Sequence, residues 1–365
     1  MKLHLFNPEH DIALAMNLVP FTPPHAAREL RADLGFIPAL WASDGDVVLV
    51  DDVEGAMESV RHLRPYVADV LFLTWRDLRA FVTGYSNLSV DVWGWDKAAV
   101  HQLKRAGVED AFLPNESRLN ELRTISSRQW ASVHLLPALS ALSDDFVGEA
   151  WYVESLSELE ERVGRLSKSV LKAPWSCSGR GVRYVSKPED WNRNRTWAQN
   201  IIDRQGGIMI EPFYDKIIDF GLEFDVDVDG NFCYQGLSLF KTVNGAYIGS
   251  VIATEEEKQK TLSRYVSWAE VEKLISMIVS LLRKNVQEIY QGPLGLDMMV
   301  VSVDGRLCVH PCVEMNLRRT MGHVALSLNA QAVEPQRLMQ ITYTDKYRLR
   351  VVNTNENVIN NSIYR

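Results

Sequence analysis

The chain has 365 residues, room for two or three domains at roughly 150 residues each, and is 46% hydrophobic and 24% charged, which excludes a disordered chain and a disulfide-stapled miniprotein. Its 39 basic and 47 acidic residues give a net charge of -8 with no dense basic block, so nucleic acid is not an expected partner. Cys177, Cys233, Cys308 and Cys312 lack the close spacing of a secreted framework, and Glu9, His10 and Asp11 interrupt the opening where a signal peptide needs an apolar run. The most apolar later run, 274–282, is far shorter than the roughly 18 to 20 residues of a membrane span, so a cytoplasmic protein without a membrane partner is expected.

In chain order, apolar β-type runs at 3–6, 47–50, 70–74 and 90–93 alternate with helix-like stretches near 26–34, 54–63, 75–82 and 97–105. That alternation predicts a small parallel α/β domain over residues 1–116, with the polar stretch 114–117 as its boundary. The loop 7–15, NPEHDIALA, follows the first strand. It reads either as a helix start or as a substrate loop presenting Asn7, Glu9, His10 and Asp11 at the carboxyl end of the sheet. From Val170 onward the texture is α+β. Residues 222–228 alternate, with Leu222, Phe224, Val226 and Val228 on one face and Glu223, Asp225 and Asp227 on the other, and Asp229-Gly230-Asn231 supplies a turn. Val271, Leu274, Ile275, Ile278, Leu282 and Ile289 recur at helical spacing, predicting one amphipathic helix over 269–290 that covers a sheet. The tryptophans Trp41, Trp75, Trp93, Trp95 and Trp130 read as packing.

Three segments carry candidate chemistry. In 169–185 an apolar strand ends at Lys172 and is followed by a small-residue loop with Ser176, Ser178, Gly179 and Gly181. Such a loop can lie over phosphates, although the same pattern suits an ordinary hairpin, and it is not the P-loop sequence. In 206–224 a strand ends at Glu211 and Glu223 lies on the next strand; taken alone, both acids read as solvent-facing. In 292–320 two strands meet at the Asp304-Gly305 turn. Period two then places Cys308, His310, Cys312, Glu314 and Asn316 on one face, opposite Leu307, Val309, Val313, Met315 and Leu317. Asp297 joins Glu314 and Asn316 if the hairpin pairs in simple register, and hard oxygen ligands of this kind suit magnesium shared with nucleotide phosphates. A zinc reading of Cys308, His310 and Cys312 stands beside it, without a paired CxxC knuckle. Cys177 on the small-residue loop is either inert or a redox-sensitive thiol.

Lys172 with its Gly/Ser loop, Glu211, the Glu223-Phe224 strand, Asp297 and Glu314-x-Asn316-x-Arg318 occur in the order found in the ATP-grasp superfamily. From about Leu119 to Met339 the chain resembles a carboxylate-amine ligase of that superfamily with a glutathione synthetase ATP-binding-domain-like core, and residues 1–116 resemble the α/β domain that often precedes it. The resemblance implies an ATP-grasp domain over 117–345, with a smaller lobe at about 120–208 and a larger one at about 209–345, followed by a tail at 346–365. It implies ATP and Mg2+ as cofactors and an ADP-forming reaction: a carboxylate becomes an acyl phosphate and an amine displaces the phosphate, so small-molecule acid and amine substrates are the expected partners. The alternative is a nucleotide-binding regulatory module of the same fold with little turnover.

Position by position, the resemblance makes Lys172 a phosphate contact and Ser176 to Gly181 the lid, and it gives the base to Met209, Ile210 and Glu211. Glu223 falls to the ribose, and Asp297, Glu314 and Asn316 to the metal. Arg318 matches the basic residue near the transferred phosphate, and Arg128 stands where a first lysine is common. Lys241 is a further phosphate contact. Arginine in place of that lysine, and Trp175 with Cys177 in the lid, depart from the family pattern. Homodimers are frequent in the family.

Overall fold

A computed structural model describes residues 1–83, 88–176, 181–243, 246–328 and 336–353. The N-terminal region follows the expected alternation: β1 (Lys2–Leu5), α1 (His10–Met16), α2 (His25–Leu34), β2 (Val47–Val50), α3 (Val53–Arg61), β3 (Leu71–Thr74), α4 (Trp75–Val82), β4 (Ser89–Val92) and α5 (Lys97–Arg105). All pairings are parallel, in the order β3-β2-β1-β4. Short polar residues cap the helices: the side chains of Asp52, Thr74 and Asp96 each accept from backbone N–H groups of the first turn. Strand order reverses between β1 and β4, so the loops after these strands diverge there and leave a crevice at their carboxyl ends. The loop carrying Asn7, Glu9, His10 and Asp11 emerges at that place.

Helices α6 (Glu116–Ile125), α7 (Arg128–His134) and α8 (Leu136–Ser140) lead to the small lobe. This is an antiparallel sheet of order β5-β8-β6-β7, formed by β5 (Trp151–Val153), β6 (Ser169–Lys172), β7 (Val182–Val185) and β8 (Ile208–Pro212). Helices α9 (Leu156–Arg165) and α10 (Pro188–Gln205) close one side of it, burying Leu159, Ala198 and Ile202 with Leu171, Ile208 and Ile210.

The large lobe holds β9 (Asp215–Val226), β10 (Phe232–Val243), β11 (Ala246–Ile252), α11 (Glu255–Leu262), α12 (Trp268–Val286), β12 (Gly292–Val303), β13 (Arg306–Asn316), α13 (Met321–Ser327), β14 (Arg337–Tyr343) and β15 (Tyr347–Asn353). Its antiparallel sheet runs β13-β12-β9-β10-β11-β14-β15. Helix α12 presents Val271, Leu274, Ile278, Leu282 and Val286 to Phe220, Leu222, Phe224, Leu294 and Leu296, while Ile275 at the edge of the stripe stays partly exposed and Ile289, expected within the helix, lies in the turn beyond its end at Val286. No helix among the described residues is long and apolar enough to cross a membrane.

The structure departs from the sequence pattern in three places. Val228, expected in the core, is 82% exposed because β9 ends at Val226 and the turn begins at Asp227. The tail expected from residue 346 opens instead with β15, which pairs with β14 along its whole length and whose Tyr347, Leu349 and Val351 pack near α2 and the N-terminal core.

The third departure is in the β12–β13 hairpin, which is not in simple register. From Val303–Arg306 to Met299–His310 the pairing is regular, and its continuation would set Asp297 opposite Cys312; between Met299–His310 and Asp297–Glu314, however, β12 advances two residues and β13 four. The irregularity contains Pro311, which has no N–H to give to the ladder. It also moves Cys312 into the main core and leaves Val313 half-buried, while Leu307, beside the turn, is 44% exposed. Because Leu296 is fully buried between β9 and β13 against the α12 layer, Leu296→Ala should cost about 2–5 kcal/mol, read as a lower urea midpoint.

Candidate functional site

One wall of the site is the inner face of the small sheet. Period two on β8 turns Ile208 and Ile210 into the small-lobe core and leaves Met209 and Glu211 on the opposite face, next to Lys172 of β6. Lys172 Nζ lies 2.5 Å from Glu211 Oε2, and both residues are buried rather than solvent-facing. Where β6 ends, Ala173 N–H donates to Gly181 O, closing the base of the lid. Gly181 lies against Ser176 so closely that a Cβ there would overlap it. Trp175 is held by Gln205 through its backbone and by Arg123, whose guanidinium stacks on the indole at 3.7 Å while its carbonyl accepts from Nε1. Cys177, Ser178 and Gly179 lie outside the described residues.

Arg128, at the first position of α7, reaches the same place. It donates to Ala173 O at 2.6 Å and Ser176 Oγ at 2.8 Å, and its other terminal nitrogen lies 2.8 Å from Glu314 Oε1. This side chain therefore joins the lid base to the metal-ligand candidates on the hairpin.

The opposite wall is the cleft face of the large sheet, where the hairpin register sets Asp297 beside Glu314 and Gly295 beside Asn316. Asn316 donates to Asp297 Oδ2 at 3.0 Å. Burial pushes the Asp297 carboxyl up to about 8, and the neighbouring Glu314 and Glu223 carboxylates push the same way. Two carboxylates and an amide oxygen are hard donors of the kind that fit a divalent cation with open positions for phosphate oxygens. The two thiols and the imidazole do not fit a zinc site: no group of three His, Cys, Asp or Glu side chains suited to a metal occurs among the described residues. His310 and Cys312 are instead buried, and desolvation drives the imidazole down to about 3 and the thiol up to about 12.

The chain leaving β13 docks on the N-terminal domain. Arg318 donates from Nε and from one terminal nitrogen to the two oxygens of Asp11, at 3.0 and 2.8 Å. Burial raises the Asp11 carboxyl, but Arg318, His10 and Arg128 together outweigh it and hold the group below its ordinary value. Arg319 stacks on Trp41 and donates to Asp91, and its N–H bonds Trp93 O. His10 is fixed through Nδ1, 3.0 Å from Asp96 Oδ2, and Asn7 donates to that same oxygen. His10, Asp11, Trp175, Ser176, Glu314 and Arg318 share the lining of one cleft.

Of the sequence-predicted site residues, the structure gathers Lys172, Ser176, Gly181, Met209, Glu211, Arg128, Asp297, Glu314, Asn316 and Arg318 around the two facing sheets. It turns the Ile210 side chain away. Glu223 lies deeper, 2% exposed, where it accepts from Thr320 Oγ1 at 2.9 Å and lies 3.0 Å from His323 Nδ1. Asp219, on the same face of β9, accepts from Lys216 and Thr242; it carries no motif that a sequence could show. Lys241 lies on β10 at an irregularity opposite β11, one residue beyond the partner of Asp219. The Thr320–His323 capping box was also missed, although a Thr three residues before a side-chain acceptor at a helix start was a usable signal.

No family model matches the sequence, and no curated protein does. Solved structures share its fold. An N5-carboxyaminoimidazole synthetase from Staphylococcus aureus complexed with ADP matches with a TM-score of 0.53 at 11% identity, over 99% of this chain and 95% of that one. N5-carboxyaminoimidazole ribonucleotide synthetase from Thermus thermophilus matches with a TM-score of 0.50 at 17% identity, over 95% and 84% of the two chains. The biotin carboxylase domain of Hydrogenobacter thermophilus 2-oxoglutarate carboxylase, a dimer with MgADP, ADP and bicarbonate, matches with a TM-score of 0.50 at 13% identity, over 93% and 74%. The architecture of this chain is thus the ATP-grasp fold preceded by an N-terminal α/β domain.

Two outcomes follow from this geometry. A Cβ at Gly322 would overlap Glu223 Oε1, and that carboxylate is already fixed by Thr320 and His323, so Gly322→Ala should lose about 1–3 kcal/mol in chemical denaturation. The raised Asp297 value means that the folded protein holds a proton which the unfolded chain releases above about 3.8, so this group penalises folding increasingly from there up to about pH 8. Asp297→Asn should therefore stabilise the magnesium-free protein, with the gain in melting temperature growing from pH 5 to pH 8.

Proposed function

We propose that this chain is an ATP-dependent, ADP-forming ligase that activates a carboxylate as an acyl phosphate and joins it to an amine. The observation that carries this reading is the meeting of two sheets over one cleft: Lys172 and Glu211 come from the small sheet, Asp297, Glu314 and Asn316 from the large one, and Arg318 lies at the end that abuts the N-terminal domain. The similar solved structures, described with ADP, MgADP and bicarbonate, support nucleotide-dependent carboxylate chemistry on this fold.

Met209 and the backbone beside Ile210 and Glu211 form the strand that receives the base, and Lys172 supplies a compact positive charge to the phosphates. The lid base at Ser176 and Gly181 offers hydroxyl and N–H donors, with Lys241 further along the cleft. Asp297, Glu314 and Asn316 would hold magnesium, which supplies charge to the phosphate oxygens when bound. Arg128 and Arg318 face the developing negative charge on the transferred phosphoryl group and the acyl phosphate. No protein nucleophile is needed, since positioning and electrostatics account for most of such a transfer.

One observation favours a second reading, a nucleotide-binding regulatory module with little turnover. Three described cations of the site are already paired with acids of the chain: Lys172 with Glu211, Arg128 with Glu314 and Arg318 with Asp11. Calorimetry with MgATP separates ligand binding from turnover. The wild type should bind, Lys172→Ala should bind at least tenfold more weakly, and no binding to the wild type would remove both readings. Phosphate release stimulated by pools of carboxylates and amines, and lost in Asp297→Ala and Glu314→Ala, selects the ligase; tight binding without release in any pool selects the regulatory module.

A further inference from the structure

The geometry points to Asp11 as a resident placeholder: its carboxylate occupies the oxyanion position on Arg318 that an anionic group of the substrate takes, at the seam between the N-terminal domain and the large lobe. This rests on the ligase reading and adds to it the place of the anionic group. The guanidinium is fully engaged, with two nitrogens on the two Asp11 oxygens at 3.0 and 2.8 Å and the third on Arg319 O at 3.0 Å. That is the forked geometry by which arginine recognises a free carboxylate or phosphate.

Asp11 stands in the first turn of α1, the helix that follows β1, at the carboxyl end of a parallel sheet and beside the reversal of strand order, where open α/β sheets place ligands. Glu314 and Asp297 also act on Arg318, and His10 and Arg128 on Asp11. Arg128 is itself committed to Glu314, Ala173 and Ser176. Displacing Asp11 gives Arg318 to the substrate with no change in net ion pairing, and it frees an acid next to His10. A purely structural tether would make the opposite prediction, because cutting it would loosen the seam and weaken any ligand bound across it.

The test is calorimetric titration with inorganic phosphate and, separately, with acetate, of the nucleotide-free and MgADP-loaded full chain. Wild type is compared with Asp11→Asn, Asp11→Glu and Asp11→Asn/Arg318→Ala, all checked for native circular dichroism. Asp11→Asn should bind one of the two anions at least tenfold tighter than wild type, Asp11→Glu should not, and the added Arg318→Ala should erase the gain. A gain with phosphate alone assigns the position to the transferred phosphoryl group, and a gain with acetate assigns it to the carboxylate. Equal or weaker binding of both anions by Asp11→Asn, or a gain that survives Arg318→Ala, overturns the placeholder. Failure of the wild type to bind MgADP would count against the nucleotide-dependent readings and not against the placeholder, since the nucleotide-free titrations still read Arg318.

Discussion

The pairing of β12 with β13 is the constraint on which the site depends. A regular hairpin from the Asp304-Gly305 turn would set Asp297 against Cys312 and leave Glu314 two residues away. The irregularity around Pro311 lets β13 take two more residues than its partner, and the three oxygen donors then come into register. Because Gly295 pairs with both Asn316 and Glu223 across the sheet, the same register fixes where Glu223 and the start of α13 sit. The pairing also sets the direction in which residues 317–320 leave the sheet, toward the carboxyl ends of the N-terminal strands.

From that exit point the two halves of the molecule are joined by charge as well as by packing. Arg318 with Asp11, and Arg319 with Asp91 and Trp41, place successive residues of one segment on the N-terminal domain. Asp91 accepts from His4, Trp41 and Arg319, and although burial opposes ionisation these partners hold its carboxyl at about 2. Removing one member of such a network strands a buried charge, so the seam is specific in register even where its net energy is small. The lid base is tied into the same frame through Arg123, which also donates to Leu14 O of α1. Arg123 thus touches both α1 and Trp175, and Arg128 touches both Ser176 and Glu314.

Among the described residues Lys172, Arg128 and Arg318 each have a carboxylate partner, while Asp297 has the Asn316 amide beside it, the carboxylates of Glu314 and Glu223 near it and Arg318 acting more weakly. A buried acid in this state costs folding stability at neutral pH, which is the pattern found where a site and not the core sets the residue type.

Sequence by itself determined the local elements and most residue types of the site. Strand 47–50 and helices 75–82 and 97–105 fall at the expected residues, because apolar periodicity and capping side chains act over a few positions. The order Lys172, Glu211, Asp297, Glu314, Asn316 and Arg318 was likewise legible, since each stands at the end or on one face of a recognisable strand. What only the tertiary structure decided was which groups pair. The exposure expected of Glu211 and Glu223 was overturned because their partners Lys172, Thr320 and His323 lie on other elements. The irregular register that joins Asp297 to Glu314, the addition of β15 to the sheet and the meeting of Asp11 with Arg318 across 307 residues follow the same rule. Propensity and period are properties of neighbours along the chain, whereas burial of a charge is decided by whatever opposite charge the fold brings to it.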